Sequence, residues 1–254
     1  MPDADGVSVL PLRGLPEVRD GDDLAALLLD ACARAPIHSL RDGDVLVVTH
    51  KVVAKAEGCI VDLRAVEPSD FARTIAARWN KDARQVEVVL RESARVVRMD
   101  HGVLICETHH GFVLTNAGVD RSNAGGPDIV LTLPRDPDRT ARSIRDRVRE
   151  RYNVEVAVIV SDTTGRPWRE GLTNMAIGLA GMRPLRDERT RVDAHGYVLG
   201  ASVLAVADEI TAAAELVMGK LDAVPAAVVR GYAYERGDGT ARELLRPPAT
   251  DMFR

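Results

Sequence analysis

Two short, uninterrupted apolar runs constrain this chain more than any other feature: Val45-Leu-Val-Val-Thr49 and Val156-Ala-Val-Ile-Val160. Apolar runs of this length, bounded by polar residues, read as buried strands. The first follows a Gly-Asp turn at Gly43-Asp44 and leads into His50-Lys51, and the second leads into Ser161-Asp162. A carboxylate at the exit of a buried strand is where ligand sites gather in α/β architectures. The pattern therefore predicts a sheet packed by helices, with polar chemistry presented at strand ends.

The rest of the chain supplies both kinds of element. Val7 to Leu12 alternates apolar and polar residues as a short strand does, and Asp22-Asp23 precede a helix over 24–32 whose dipole favours them. Ser69 is positioned to cap a helix running to Trp79. Segments 103–106 and 112–115 read as strands flanking the polar hinge Glu107-Thr-His-His-Gly111. Asp136-Pro137 starts a helix with proline at the first position, where its missing N–H costs nothing. Ile144, Val148 and Tyr152 then give that helix one apolar face. An Ala-rich helix is expected over 203–218 and a last strand over 225–230. Crossover and hairpin stretches mix, so the expected class is α+β (mixed α/β), with mixed parallel and antiparallel sheets. Residues 1–254 are read as a single domain, with two subdomains of unplaced boundary as an open division.

Composition narrows the function. The formal net charge is -4, far from the basic footprint of a nucleic-acid binder. Cys32, Cys59 and Cys106 are isolated and odd in number, which argues against a disulfide framework or a zinc knuckle. No apolar run approaches the roughly 20 residues of a membrane helix, and Met1-Pro-Asp-Ala-Asp5 lacks the features of a leader. A soluble cytoplasmic protein is the expectation. GxxxxGK[ST], GxGxxG, GxSxG and HExxH are all absent, so any nucleotide is held by other means.

Three segments carry concentrated chemistry. Asn116-Ala-Gly-Val-Asp120-Arg-Ser-Asn123 puts a carboxylate, a guanidinium, a hydroxyl and an amide in a glycine-containing turn. Asp120 would suit a hard cation and Asn123 a ligand edge, although an Asx-turn that merely reverses the chain uses the same residues. Ser161-Asp162-Thr-Thr-Gly165-Arg166-Pro-Trp168-Arg169-Glu-Gly171 reads as a loop. In it Asp162 and Thr163 offer oxygen ligands to Mg²⁺ or Mn²⁺, and Arg166 and Arg169 offer planar forks to phosphate or carboxylate. The alternative is a surface loop with a tryptophan anchor and solvated arginines. In His50-Lys51-Val-Val-Ala-Lys55, the two lysines four residues apart can supply charge to a polyphosphate or form a solvated helical face. His109 and His110 are adjacent, so on a strand they point to opposite faces and do not share a ligand. Glu215, Asp208 and Glu209 lie on the Ala-rich helix, where one acid could complete a metal shell.

Taken in order along the chain, the segments resemble the coenzyme F-420:L-glutamate ligase family. The stretches that carry the resemblance are Gly14-Leu-Pro-Glu-Val, segment 43–58, Glu107-Thr-His-His-Gly-Phe112, segments 116–123 and 161–171, Ala176-Ile-Gly178, and 205–220. The resemblance implies a family-specific fold, an intertwined homodimer and a GTP-dependent ligase using Mg²⁺ or Mn²⁺, two ions per site, with K⁺ as a further cation. Carried over position by position, it gives Asp120, Asp162 and Thr163 to metal. It gives Gly14, Leu15, Pro16, His50, Lys51, Lys55, Asn123, Gly219 and Lys220 to the nucleotide. Three positions depart from the family pattern: His50 stands where Gln or a small polar residue is expected, Thr164 replaces an aromatic, and Leu172 replaces Gln. Longer members carry a fused reductase domain, which is not expected in a chain ending at Arg254.

The implied chemistry joins L-glutamate to the phospholactyl carboxylate of a deazaflavin coenzyme through an acyl phosphate. Asp120 and Asp162 hold metal, and Lys51, Lys55, Arg166 and Arg169 neutralise charge. Two other readings stay open: a nucleotide-dependent ligase for another carboxylate acceptor, and a non-catalytic nucleotide-binding regulator.

Overall fold

The computed structural model describes residues 6–251; residues 1–5, read above for a leader, and the chain end at Arg254 lie outside them. The architecture is mixed α+β. Five strands form the main sheet: β1 (Ser8–Leu12), β2 (Val45–Thr49), β8 (Ala157–Arg166), β9 (Arg169–Ala180) and β12 (Ala226–Arg230). Their spatial order is β1-β12-β2-β8-β9, and β2 with β8 is the parallel pair in an otherwise antiparallel sheet. The two apolar runs are thus neighbours, with Val45 opposite Ala157 and Thr49 opposite Ser161. Both are fully buried through their apolar length, as continuous runs of β-branched residues predict.

Helices close the sheet. Helix α1 (Leu24–Arg34) is capped by Asp23, whose carboxylate accepts the Ala26 N–H at 2.9 Å. Helix α5 (Pro137–Tyr152) begins as the sequence predicts, with Asp136 as cap and Pro137 in the first turn. It buries Ala141, Ile144 and Val148, and Tyr152 donates to the Leu29 carbonyl at 3.2 Å. Helix α6 (Val206–Met218) is shorter than expected: Val203–Leu204 instead form a strand, β11, paired with β10 (Arg186–Asp187). Ala205 leaves helical geometry at ψ 70°, so the predicted helix cannot run through it.

A smaller unit is inserted in the crossover between β2 and β8. It holds α3 (Asp70–Trp79), α4 (Ala83–Arg91) and the antiparallel sheet β4 (Ser93–Asp100), β5 (Val103–Thr108) and β6 (Val113–Thr115). The pair β3 (Ile60–Asp62) and β7 (Ile129–Leu131) closes it. Ser69 caps α3 as read, accepting the Ala72 N–H at 3.2 Å. This unit has its own hydrophobic cluster, around Leu63, Val89, Leu104 and Val130.

The predicted loop 161–171 is a hairpin instead. Strand β8 continues through Arg166, β9 restarts at Arg169, and Thr163 pairs with Asn174. The register slips where the strands leave the core: Val160 faces Gly178 but Ser161 faces Ala176, leaving Ile177 as a bulge. Helix carboxylates take the displaced N–H groups, Asp208 that of Ala176 at 2.9 Å and Asp138 that of Leu179 at 2.8 Å.

Candidate functional site

The carboxyl ends of the parallel strands β2 and β8 open onto one cavity of about 290 Å³. Chain direction explains why. Strand β2 passes straight into α2 (His50–Ala56), so residues 50–55 start a helix at the sheet edge while β8 presents Asp162 and Thr163 beside it. Leu15, Pro16, Lys51, Lys55, Asn123, Thr163, Gly219 and Lys220 line the cavity. Segments read separately in the sequence, from opposite ends of the chain, meet there.

Charge is paired across it. Lys51 is largely buried and reaches Asp120 Oδ2 at 2.7 Å, and it also donates to the Ser122 hydroxyl and, at 3.2 Å, to the Ser122 carbonyl. Asp120 in turn accepts the Ser122 N–H at 2.7 Å and its hydroxyl at 2.9 Å. Burial pushes the Asp120 carboxyl up, but the Lys51 ammonium and the Ser122 N–H outweigh it and hold the group below the usual carboxylate range. Lys55 pairs with Glu17. The two lysines therefore face the cavity, and the solvated helical face is excluded.

Asp162 sits deeper. His50, 1% exposed, brings Nε2 to 3.1 Å from Asp162 Oδ1, off the axis of a hydrogen bond, and its Nδ1 has no hydrogen-bond partner among the described residues. The Asp162 carboxylate also accepts the Thr163 N–H at 2.7 Å. His50 and Asp162 thus lie beneath the cavity wall, so the departure at His50 bears on Asp162 first. Thr163 donates to Asn174 Oδ1 at 2.7 Å, and Asn174 donates to Glu215 Oε2 at 2.9 Å.

Asn174 and Glu17 were not singled out in the sequence. Asn174 had a signal: a lone amide at the head of the apolar run Met175-Ala-Ile-Gly-Leu-Ala180, in a strand type that disfavours Asn, needs a polar partner when buried. Of the helix acids, Glu215 lines the cavity, whereas Asp208 serves the bulge, with burial raising its carboxyl pKa.

Other candidates lie elsewhere. Arg166 and Arg169 pair at the hairpin tip, exposed and outside the cavity wall, and Trp168 beside them is 81% exposed rather than an anchor. Gly14 precedes the lining at Leu15 and has φ +78°, which suits glycine. His109 and His110 occupy the turn after β5 and meet backbone carbonyls, of Arg91 and of Pro134 and Arg135. Burial pushes the Cys32 thiol up to about 12 and those of Cys59 and Cys106 upward, which makes all three poor nucleophiles. Among the described residues no helix is long and apolar enough to cross a membrane.

Residues 14–231 match the family model described as F420-0:Gamma-glutamyl ligase. A coenzyme F420:L-glutamate ligase of Methanothermobacter thermautotrophicus is 44% identical over 98% of this chain and 99% of its own length. Proteins of the same name from Methanopyrus kandleri and Archaeoglobus fulgidus are 44% and 41% identical, over 99% and 96% of their lengths.

Proposed function

The chain belongs to the F420-0:gamma-glutamyl ligase family, and from that premise we propose that it is a GTP-dependent ligase forming an amide between L-glutamate and the phospholactyl carboxylate of the deazaflavin coenzyme. One observation carries the nucleotide assignment: seven of the nine residues that the resemblance gives to GTP, all but Gly14 and His50, line a single cavity although they come from both ends of the chain. Lys51 and Lys55 bring positive charge to it, and Asn123 and the 219–220 turn bring hydrogen-bonding groups.

The donor set suits a hard divalent cation. Two carboxylates, Asp120 and Asp162, and the Thr163 hydroxyl are oxygen donors, and the Lys51 ammonium at 2.7 Å already stands where a cation neutralises Asp120. Among the described residues no three His, Cys, Asp or Glu side chains gather into a complete cage. Mg²⁺ and Mn²⁺ take remaining ligands from phosphate oxygens and water, so the proposed donors are two carboxylates and one hydroxyl. Two ions per site, and K⁺ beside them, belong to the same proposal. The metal, when bound, neutralises phosphate charge and polarises the transferred phosphoryl group.

The γ-phosphoryl group of GTP passes to an acceptor carboxylate oxygen, breaking the β–γ bridge and leaving GDP and an acyl phosphate. The glutamate amine then attacks the acyl carbon, loses a proton and releases inorganic phosphate. Lys51 and Lys55 hold the polyphosphate in line, and Asn174 fixes the Thr163 hydroxyl. Such a reaction depends on positioning and charge neutralisation more than on covalent help. Arg166 and Arg169 belong to this mechanism only as hairpin-tip groups that meet an acceptor or a second copy of the chain. A homodimer is part of the proposal and would cover that exposed tip.

The test is mass measurement of the product after incubation with GTP, Mn²⁺, L-glutamate and glutamate-free coenzyme. One or more glutamyl additions, dependent on GTP, are expected. Asp162→Ala is expected to lower ligation by several orders of magnitude; normal turnover by that variant at saturating metal would sink the metal assignment.

A further inference from the structure

A second cavity, of about 220 Å³, lies in the inserted unit between the end of α3, α4 and the 116–123 loop. Asn80, Lys81, Gln85, Asn116 and Arg121 contribute polar groups to its wall. Lys81 is partly buried, and no ion pair holds its ammonium among the described residues. The neighbouring carboxylate, Asp82, also on the wall, is engaged elsewhere: Arg84 grips it at 2.8 Å. Arg121 stands 3.9 Å from that neutralised acid and 3.5 Å from Gln85 Oε1.

Two cations and three amides converge, and the one acid is already satisfied. That inventory receives carboxylates through charge-assisted hydrogen bonds. The volume is smaller than the 290 Å³ of the first cavity and has room for a free amino acid. Placement adds the link to chemistry. The loop that gives Asn116 and Arg121 to this cavity gives Asn123 to the first one, with Asp120 and Ser122 between them bound to Lys51.

We propose that this second cavity binds the amino-acid co-substrate, L-glutamate, with Lys81 meeting a carboxylate and the amides of Asn80, Gln85 and Asn116 its remaining oxygens. The proposal rests on the ligase reading above. An acceptor's carboxylate tail shares the chemistry, but the smaller volume favours the free amino acid.

Steady-state kinetics of Lys81→Met, Lys81→Arg and Gln85→Glu test it. Lys81→Met and Gln85→Glu are expected to raise KM for glutamate about tenfold or more, with KM for GTP and for acceptor within twofold of the parent. Lys81→Arg, which keeps the charge, is expected to restore most of the loss. A glutamate KM within twofold of the parent in the folded variants, or a rise confined to the acceptor KM, overturns the proposal. A second measurement separates its failure from that of the ligase reading: line broadening of isotopically labelled L-glutamate by the parent protein and by Lys81→Met, without turnover. If the parent makes no product the ligase reading fails. Broadening by the parent that is lost in Lys81→Met still supports the pocket, and equal broadening or none by the parent overturns it.

Discussion

Asp120 shows how two neighbours set the charge of one residue. Burial alone would raise its carboxyl pKa, and the Lys51 ammonium with the Ser122 N–H reverses the sign. A carboxyl held below its unfolded value contributes stability above the unfolded pKa and loses it as pH falls through the folded one. In Lys51→Met the burial contribution is unopposed by an ammonium, so the loss should begin nearer neutrality. Carbon-detected titration of the aspartate carboxyls checks this: the Asp120 signal should titrate at higher pH in the variant. An unmoved signal would mean that the Ser122 N–H alone holds the group. Polar groups gathered at the ends of β2 and β8 were legible where they follow an apolar run, as Lys51 on the cavity wall and Asp162 beside His50 do. Glu17 was not, because its role comes from Lys55, 38 positions away. Arg166 and Arg169 fit a phosphate fork by type, and strand continuation through the hairpin carries them to its tip.

Among the elements, the contact of α5 with β9 rests on a missing side chain. A Cβ on Gly178 would lie 2.4 Å from the backbone carbonyl carbon of Pro137, in the first turn of that helix. Backbone cannot yield as a flexible side chain does, so Gly178→Ala forces the helix off the sheet. The expected cost is about 1–3 kcal/mol by the usual range for overpacking, measurable as a lower denaturation midpoint with an unchanged denaturant slope. The start of α5 was legible in Asp136-Pro137, and the two buried strands in their apolar runs. The hairpin was not, since Gly165, Pro167 and Gly171 punctuate it like a loop while its backbone pairing is set by tertiary contact. The end of α6 was misread for the same reason: Val203 and Leu204 have apolar side chains suited to either element, and a partner strand decided.

At the scale of the whole molecule, two hydrophobic clusters share one chain, the larger around the main sheet and the smaller in the unit inserted between β2 and β8. The smaller one buries fewer apolar side chains, so it should open more readily. Hydrogen exchange is expected to be faster in β4 and β5 than in β2 and the first half of β8. GTP should slow exchange in the 116–123 loop, because Asn123 lines the cavity proposed to hold the nucleotide. Exchange in that loop indifferent to GTP would detach it from the cavity. No local sequence pattern marks this division, because a crossover of a hundred residues looks like any other stretch until its ends are known to be neighbours.

The edge strand β1 pairs with β12, Ser8 opposite Arg230, so the sheet is closed by strands from distant parts of the sequence. During synthesis β1 waits, unpaired, until β12 is made, and the 219–220 turn that lines the first cavity arrives just before that strand. A nascent chain therefore has no complete cavity at the ends of β2 and β8 until residues 219–225 have been made.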